Sequence, residues 1–415
     1  MAPFFRNGRI FAKQKRSRRY QAMEKRNDKK NPWSRITAML LIASLMIVLL
    51  WGCFGKKKGP PPAIQTAVTE PTALPEAELL DTTAKVVAYV EKMVQAGAEK
   101  FSLVCSEEIY EILLKVTYKA DGIERKAFHS LLEQAGIYYC SAIPAGMKKT
   151  ITVTDISLYP GYEILRSVEA GTEEALSSEL KKTLAEALSI ADACRASDPL
   201  VTAKNIQSAL CERVRYAYMT NMSNVDTAIG ALLSGVADCD GYADAFYLVG
   251  SLAGLDVRYQ QGISSSYDLV ENKIVTGSHM WNLLKIDGSW RVVDVCWADG
   301  QNGIEYTWFN IGKDRASRSR SWQEDLSVPL LETTDLSARP ETEYSVTTPE
   351  DLEAAIKEAL RKDQYSFTII FDNDNYGSRT EAFDMLFNYY TGEISYYWDE
   401  CTRALTIILD AVRNQ

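Results

Sequence analysis

The clearest short-range pattern in the chain is a β-hairpin around Asp287-Gly288. This dipeptide is a strong two-residue turn signal, and runs of strand-forming residues lie on both sides of it. In the register that such a turn sets, Asp294 faces Trp281, and His279 is the diagonal neighbour of Asp294 on the same face. Diagonal neighbours lie about 7–8 Å apart at the backbone, which is within reach of a side-chain hydrogen bond. The pattern therefore predicts that an imidazole and a carboxylate lie together.

A helical pattern begins upstream of the hairpin, at Cys239. Asp238 is a suitable N-cap and Gly254 is a natural stop. The apolar residues between them recur on one helix face: Tyr242, Ala245, Phe246, Val249, Leu252 and Ala253. A cysteine in the first turn lies among free N–H groups at the positive end of the helix dipole, which favours the thiolate. The alternative is a small buried hydrophobic residue, the usual role of a free cysteine.

A similar series of patterns occurs on each side of this region. Each copy has a helical pattern after a Thr-Thr pair, then a strand, a second helix, an aromatic strand and a final β-rich run. The copies lie in residues 79–165 and 331–415. We therefore predict two small α+β modules that flank a central domain at 166–330. Coincidence between two ordinary α+β segments is the alternative.

Further patterns fill the predicted central domain. The periodicity predicts helices at 177–193 and 200–218 and a strand at 305–310. Arg315, Arg318 and Arg320 follow in a polar stretch. We interpret this stretch as a solvated loop, with a binding surface for an acidic substrate as the alternative.

The N-terminal 78 residues have the composition of a membrane anchor with its flanks. Residues 1–35 carry 12 Lys/Arg against 2 Asp/Glu, residues 36–54 carry no charge, and residues 55–78 form a segment rich in proline. An uncharged run of this length can cross a bilayer, and the positive charge before it predicts a cytoplasmic N-terminus. We therefore predict a basic cytoplasmic segment, an uncleaved single-pass anchor and a linker, with the folded part outside the membrane. A signal with a lipid-modified Cys53 is the alternative.

The charge of the chain bears on its partners. The whole chain carries −9, and without the +10 of residues 1–35 and the +3 of residues 56–58 the remainder carries −22. An acidic surface repels a phosphate backbone, so we expect no nucleic-acid partner.

The cysteines and histidines bear on metals and disulfides. The eight cysteines include no CxxC pair, there are two histidines, and no complete EF-hand loop is present. We therefore expect no metal and no other cofactor. A disulfide between Cys105 and Cys140 is a candidate outside the membrane.

Cys239, His279 and Asp294 together supply a nucleophile, its base and an orienting carboxylate. The other histidine, His129, lies in a helical pattern and is expected to be a surface or packing residue. Cys296 also falls on the His279 face of the hairpin and is a rival nucleophile, although it lacks a helix N-terminus.

The segments that carry these residues resemble the transglutaminase-like superfamily, which includes transglutaminases and bacterial transglutaminase-like peptidases. The segments are Gly235–Phe246, Ser278–Asn282 and Trp290–Asp299. The resemblance implies an α+β, papain-like core in which a cysteine-bearing helix packs on an antiparallel sheet. It also implies that Cys239 is the nucleophile, His279 the general base and acid, and Asp294 the orienting carboxylate.

The same resemblance extends to residues around these three. It implies a site lined by Asp240, Gly241, Tyr242, Trp281 and Asn282, and it suggests that Tyr216 contributes to an oxyanion pocket. The sequence departs from the usual pattern at two positions. Cys296 stands where a small residue such as Thr is usual, and the negative charge of Asp240 next to the nucleophile raises the pKa of a thiol.

The resemblance implies an enzyme that forms a thioester with a peptide or glutamine-type carboxamide. Water then makes it a protease or amidase, and an amine makes it a cross-linking transglutaminase. The expected substrate is a protein or peptide, and the predicted location favours a cell-surface protein or cell-wall peptide. The alternatives are a non-catalytic envelope adaptor and an acetyltransferase with the same three residues.

Overall fold

An antiparallel sheet with a helix packed on it carries the predicted site. In the computed structural model, the described residues are 8–11, 78–120, 123–217, 222–268, 273–300, 303–304, 306–322, 329–334, 342–373, 377–399 and 403–409.

The helices and strands are named in chain order. The helices are α1 Thr83–Gln95, α2 Glu107–Leu114, α3 Ala127–Gln134, α4 Pro160–Ala170, α5 Ser178–Cys194, α6 Pro199–Arg213, α7 Cys239–Leu252, α8 Val295–Ala298, α9 Lys313–Ala316, α10 Pro349–Arg361 and α11 Arg379–Leu386. Short helical turns lie at Gly146–Lys148, Glu173–Ala175 and Gly230–Ser234. The strands are β1 Gly8–Phe11, β2 Leu79–Leu80, β3 Lys100–Cys105, β4 Val116–Ala120, β5 Ile123–Lys126, β6 Ile137–Ala145, β7 Thr150–Leu158, β8 Arg215–Tyr216, β9 Val236–Ala237, β10 Asp256–Asp268, β11 Lys273–Ile286, β12 Ser289–Val293, β13 Asp299–Gly300, β14 Gly303–Ile304, β15 Phe309–Ile311, β16 Arg320–Trp322, β17 Glu343–Val346, β18 Ser366–Phe371, β19 Glu393–Asp399 and β20 Ala404–Leu409.

The central sheet has the strand order β15-β12-β11-β10-β16, and all its pairs are antiparallel. The hairpin of β11 and β12 turns at Asp287-Gly288, and Asn282 pairs with Val293 at its far end. Asp287 and Gly288 both have positive φ, which an Asp-Gly turn of this kind requires. The predicted hairpin and its register are confirmed.

Helix α7 packs on this sheet and is covered by α5 and α6 on its other side. Tyr242, Phe246 and Val249 on its apolar face are buried, so the helix is held between two layers. The side chain of Asn282 on β11 donates from Nδ2 to the backbone oxygen of Ala243, 3.1 Å away. The start of the helix is therefore tied to the strand that carries His279.

Helix α6 ends at Arg213, five residues before the predicted end. The chain then leaves the helix to form β8, which pairs in parallel with β9 and places Tyr216 opposite Ala237. Since β9 leads directly into α7, the pairing brings Tyr216 next to the start of the cysteine helix. The predicted strand at 305–310 is also shorter than expected and is β15.

The two flanking sheets have the same topology. In the first, the order is β2-β3-β7-β6, with β2 parallel to β3 and β7 antiparallel to β3 and β6. In the second, β17, β18, β20 and β19 follow in the same order and directions, and β1 pairs with β19 at the edge. Thr82 and Thr348 cap the matching helices α1 and α10. The first copy differs by its insertion of α2, β4 and β5, and the predicted domain boundaries stay predictions.

The candidate disulfide between Cys105 and Cys140 is not formed. Both thiols are free. Cys105 lies on β3 and Cys140 on β6, and β7 lies between these two strands. Strands two positions apart are about 10 Å from each other, which exceeds the Cα separation that a disulfide spans.

The predicted N-terminal anchor lies outside the described residues, as do the linker and Cys53. Within the described ranges, no helix combines the length and the apolar character that crossing a bilayer requires. The membrane anchor stays a prediction.

Asp244, on α7, is a buried carboxylate that joins three segments. It accepts hydrogen bonds from the backbone N–H of Gly161 at 3.1 Å, the backbone N–H of Ala228 at 2.7 Å and the hydroxyl of Tyr259 at 2.7 Å. Burial raises its pKa to about 6, although these three donors act in the opposite direction. The carboxylate is therefore the acceptor that holds α4 and the loop before α7 against the cysteine helix.

The raised pKa of Asp244 predicts a pH dependence of stability. An unfolded aspartate has a pKa of about 3.9, so the folded state binds the proton more tightly and stability falls as pH rises from about 4 to about 6, by roughly 3 kcal/mol. Urea unfolding of the wild type and of Asp244→Asn, measured between pH 4 and 7, isolates the contribution of Asp244 to the pH dependence of stability. We expect the difference between the two free energies of unfolding to change over this window, and a constant difference would contradict the prediction. Tyr259→Phe is the control that keeps the carboxylate.

Candidate active site

Cys239 is the first residue of α7. The side chain of Asp238 caps this helix by accepting from the N–H groups of Asp240 at 3.0 Å and Gly241 at 3.3 Å. The thiol of Cys239 donates to Oδ1 of Asp240 at 3.4 Å, and its sulfur accepts from the backbone N–H of Met280. Because Met280 follows His279 on β11, the sulfur lies against the strand that carries the imidazole.

Gly241 lets the start of this helix approach a neighbouring loop. A Cβ at this position would lie 2.3 Å from the backbone oxygen of Val225, which no larger residue tolerates without a shift of the backbone. A glycine is therefore needed here for packing, two residues after the cysteine.

His279 and Asp294 form a buried hydrogen-bonded pair. Nε2 of His279 lies 2.7 Å from Oδ2 of Asp294, and the two side chains are 5% and 1% exposed. Asp294 directly follows β12 and caps α8, where its Oδ1 accepts from the backbone N–H of Trp297 at 3.0 Å. The structure thus brings together the imidazole and the carboxylate that the hairpin register predicts.

Arg320 completes the surroundings of Asp294. Its Nη2 donates to Oδ2 of Asp294, and its Nη1 donates to the hydroxyl of Ser319 at 3.1 Å. The interpretation of residues 315–320 as a solvated loop is wrong. Arg315 and Arg320 are buried, because Asp372 and Asp294 provide counterions and tryptophan rings surround Arg320.

The thiol of Cys239 is protonated in this environment. Burial and the carboxylates of Asp240 and Asp238 raise its pKa well above the ordinary value, and the hydrogen bond from Met280 opposes them only in part. Burial and these two carboxylates therefore oppose the thiolate that the helix start favours. The expected effect of Asp240 is confirmed. Asp238 itself has a pKa raised to about 7 by burial and by Asp240.

His279 and Asp294 titrate in opposite senses. Burial lowers the pKa of His279, although the carboxylate of Asp294 acts to raise it. Burial alone would raise the pKa of Asp294, but His279 and Arg320 outweigh it and lower the value to about 2. At neutral pH the site therefore holds a neutral thiol, a neutral imidazole and an ionised carboxylate.

The remaining predicted residues lie around this centre. The pKa of Tyr216 is raised by burial and then by Cys296, Cys239 and the carboxylates at the helix start, so its phenol faces the two thiols. The hydroxyl of Tyr242 donates to Asp299. The ring of Trp281 is buried, 5.9 Å from the ring of His279. Asn282 ties the start of α7 to β11 through its hydrogen bond to the backbone oxygen of Ala243.

Two other predicted residues have local roles. Cys296 is buried in α8, and burial and then Asp294 and Cys239 raise the pKa of its thiol well above its ordinary value, so it has no advantage over Cys239 as a nucleophile. His129 caps α3, since its Nδ1 accepts from the backbone N–H of Lys126 at 3.0 Å, and its ring packs on Phe128.

One group of residues in the described ranges has the spacing of metal ligands. Atoms of Asp238, Cys239 and Asp240 lie within 4.8 Å of one another. Two of these carboxylates already have partners, because Asp238 caps α7 and Asp240 accepts from the thiol. The expectation of no metal and no cofactor stays a prediction.

Sequence reasoning missed the residues behind the His279–Asp294 pair. Trp297, Trp308 and Arg320 come from α8, the segment before β15, and β16, and they meet only through the fold. A weak signal was available in the alternation of Arg318, Arg320 and Trp322, which is typical of a short strand with one buried face.

The site thus consists of a cysteine at the N-terminus of a helix, packed on an antiparallel sheet that carries a histidine–carboxylate pair. Residues 188–295 match the model of the Transglutaminase-like superfamily, Transglut_core. The matched segment includes Cys239, His279 and Asp294. This segment of the chain is therefore similar to the transglutaminase-like core, as the resemblance of the motifs predicts.

The solved structures that match this chain have low identity and low TM-scores. A TGase structure shares 12% identity with a TM-score of 0.25, covering 48% of this chain and 60% of its own. A proposed cysteine protease from Cytophaga hutchinsonii shares 11% identity with a TM-score of 0.23, covering 40% and 64%. EGTA-treated LapG of Legionella pneumophila shares 13% identity with a TM-score of 0.20, covering 32% and 70%. The chain thus spans less than two thirds of the first two proteins. No curated protein matches its sequence.

Proposed function

We propose that this protein is a cysteine acyl-transfer enzyme that cleaves peptide or glutamine-type amide bonds through a thioester on Cys239. The observation that carries the proposal is the buried contact between Nε2 of His279 and Oδ2 of Asp294, 2.7 Å long, beside a helix-start thiol. This contact engages Nε2 of His279, and Nδ1 is the ring nitrogen that we propose takes the proton of the thiol. It is the arrangement in which an imidazole serves as a general base.

The proposed reaction has two steps. His279 takes the proton of the Cys239 thiol as sulfur attacks the carbonyl carbon, and it then gives that proton to the leaving amine as the C–N bond breaks. The resulting thioester is attacked by water, which releases a carboxylic acid, or by a primary amine, which gives a new amide. In both cases the thiol is regenerated, and no oxidant or cofactor takes part.

Two features support a base that acts during attack rather than a preformed ion pair. The thiol pKa is raised and the imidazole pKa is lowered in the free protein, so the proton stays on sulfur until substrate arrives.

The backbone N–H of Cys239 and the phenol of Tyr216 are the proposed donors to the oxyanion. Tyr216 meets this requirement because its high pKa keeps the phenol protonated.

The acyl-enzyme tests the proposal directly. With p-nitrophenyl acetate as the probe, we expect a burst of p-nitrophenolate equal to the enzyme and an acetyl group on Cys239 in the mass spectrum. General-base catalysis predicts that Cys239 reacts about 100-fold faster than the other cysteines. Cys239→Ala abolishes the burst, and the matched variant Cys296→Ala keeps it. Acetylation of Cys296 instead, or equal slow acetylation of all cysteines, contradicts the proposal.

A blocked Gln-Gly dipeptide separates the two outcomes of the second step. Conversion of the glutamine to glutamate in buffer indicates hydrolysis, and incorporation of a fluorescent alkylamine indicates transamidation. A membrane tether at residues 36–54 and an extracytoplasmic protein or cell-wall peptide as substrate complete the proposal, and both are supported by the sequence alone.

A non-catalytic adaptor is the second candidate. The observation that favours it is the raised pKa of the half-buried Cys239 thiol. An adaptor predicts that p-nitrophenyl acetate gives no burst, while thermal unfolding of the wild type and of Cys239→Ala is the same.

A further inference from the structure

Arg320 is a buried arginine behind the His279–Asp294 pair. Its side chain is 0% exposed, and its Nη2 donates to the same carboxylate oxygen, Oδ2 of Asp294, that lies 2.7 Å from Nε2 of His279. Oδ1 of Asp294 accepts from the backbone N–H of Trp297. Because three donors contact its two oxygens, the Asp294 carboxylate is held in one orientation.

The guanidinium is enclosed by tryptophan rings. Its carbon lies 3.8 Å from the ring centre of Trp308, 4.3 Å from that of Trp297 and 5.5 Å from that of Trp281. An arginine stacks on aromatic faces and keeps its charge when it is buried, which a lysine in the same place does less well. The rings thus exclude water from a charge that Asp294 and the nearby Asp399 offset.

The segment that supplies Arg320 is held by the C-terminal part of the chain. Arg315 forms a 2.5 Å ion pair with Asp372, which follows β18. Arg318 donates to the backbone oxygen of Phe371 at 3.3 Å and pairs with the same Asp372 at 3.4 Å. The second flanking sheet therefore anchors residues 313–322, from which Arg320 reaches the site.

We infer that Arg320 is a positioning residue, which keeps Asp294 ionised and oriented toward His279 and which is itself fixed by residues 342–409. The catalytic role of Arg320 rests on the proposed function, because Arg320 acts through the His279–Asp294 pair. It also assigns a role to the C-terminal flanking sheet, which carries no catalytic group of its own.

The electrostatics agree with this role. Arg320 acts to lower the pKa of both Asp294 and His279. Two further titratable groups that interact with Asp294 are the thiols of Cys296 in α8 and Cys211 in α6. Without the guanidinium, the carboxylate would stabilise the imidazolium more strongly, and the base would be protonated closer to neutral pH.

The ring signals of histidine test this inference without any substrate. The chain has two histidines, so NMR of the ring C–H groups gives two titration curves, which His129→Gln assigns. In Arg320→Gln we expect the pKa of His279 to rise by about one unit, the size typical of removing a charge at this distance. Arg291→Gln is the matched control, because it removes a buried arginine of β12 whose Nη1 donates to Asn310, and we expect it to leave the pKa of His279 within a few tenths of a unit.

A second variant keeps the test decisive if Arg320→Gln does not fold. Arg320→Lys retains the charge but replaces the planar fork with a point charge, so we expect a smaller rise, about half a unit. An unchanged His279 pKa in both Arg320 variants, or an equal shift in Arg291→Gln, overturns the inference. Failure of the wild type to form acetyl-Cys239 overturns the proposed function instead, and the NMR result stands apart from it.

Discussion

Replacing His279 by glutamine is expected to lower the rate of thioester formation by roughly 10⁴- to 10⁶-fold. Loss of the histidine base has an effect of this size in enzymes with a nucleophile–histidine–carboxylate triad. The reason lies in the state of the nucleophile. The thiol of Cys239 has a pKa well above its ordinary value, so very little thiolate exists at neutral pH unless a base removes the proton during attack. Single-turnover acylation by a blocked Gln-Gly dipeptide or by p-nitrophenyl acetate measures the loss.

The pH dependence of the residual rate provides a sharper form of this test. Below the thiol pKa, the thiolate fraction rises tenfold per pH unit, so we expect the rate of His279→Gln to rise about tenfold per unit above pH 7. The wild type should show a much flatter profile there. His129→Gln is the matched control, since that histidine caps α3, and we expect its rate to stay within a few-fold of the wild type. A rate for His279→Gln close to that of the wild type would end the assignment of His279 as the base.

The parts of the site that the sequence predicts well are those that local rules determine. A two-residue Asp-Gly turn allows one register, and that register puts His279 and Asp294 on the same face whatever the rest of the chain does. The helix at Cys239 is similarly local, because an Asp238 cap and an apolar periodicity specify its start and its buried face.

The parts that the sequence predicts badly depend on contacts between distant segments. Arg320 looks solvated in sequence because its neighbours are serines and arginines. Its burial follows from Asp294 and two tryptophans that only the fold brings to it. The disulfide between Cys105 and Cys140 fails for a related reason, since the strand order that separates them is set by β7.

The protonation of Cys239 illustrates a competition that the sequence shows only in part. The helix start favours a thiolate, and the neighbouring Asp240 opposes it, and both are visible in the sequence. Burial is the largest influence on the thiol pKa, and its extent is not visible in the sequence. Since burial disfavours any charge, a helix N-terminus alone does not establish a reactive thiolate.

Replacing Asp294 by alanine is expected to lower the free energy of unfolding by about 3–5 kcal/mol, the usual result of breaking a fully buried ion pair. The cause is Arg320, which has no exposure and would lose the counterion that its Nη2 contacts. Urea unfolding at pH 7 measures the loss. Asp372→Ala is a matched control, because its carboxylate is 18% exposed and contacts Arg315 at the edge of the same segment, and we expect a smaller loss.

The double variant Asp294→Ala/Arg320→Met identifies the source of that loss. If the unpaired charge is responsible, removing the arginine as well restores part of the stability. The sum of the losses of unfolding free energy in the two single variants then exceeds the loss in the double variant by more than about 1 kcal/mol. Additive losses would show that Asp294 stabilises the fold through its contact with the Trp297 N–H instead. The wild type provides an independent check in acid: the pKa of Asp294 is about 2 when folded and about 3.9 when unfolded, so its contribution is present above pH 4 and is lost as pH falls toward 2. Asp294→Ala lacks this group, and its unfolding free energy should therefore fall less steeply over that window than that of the wild type.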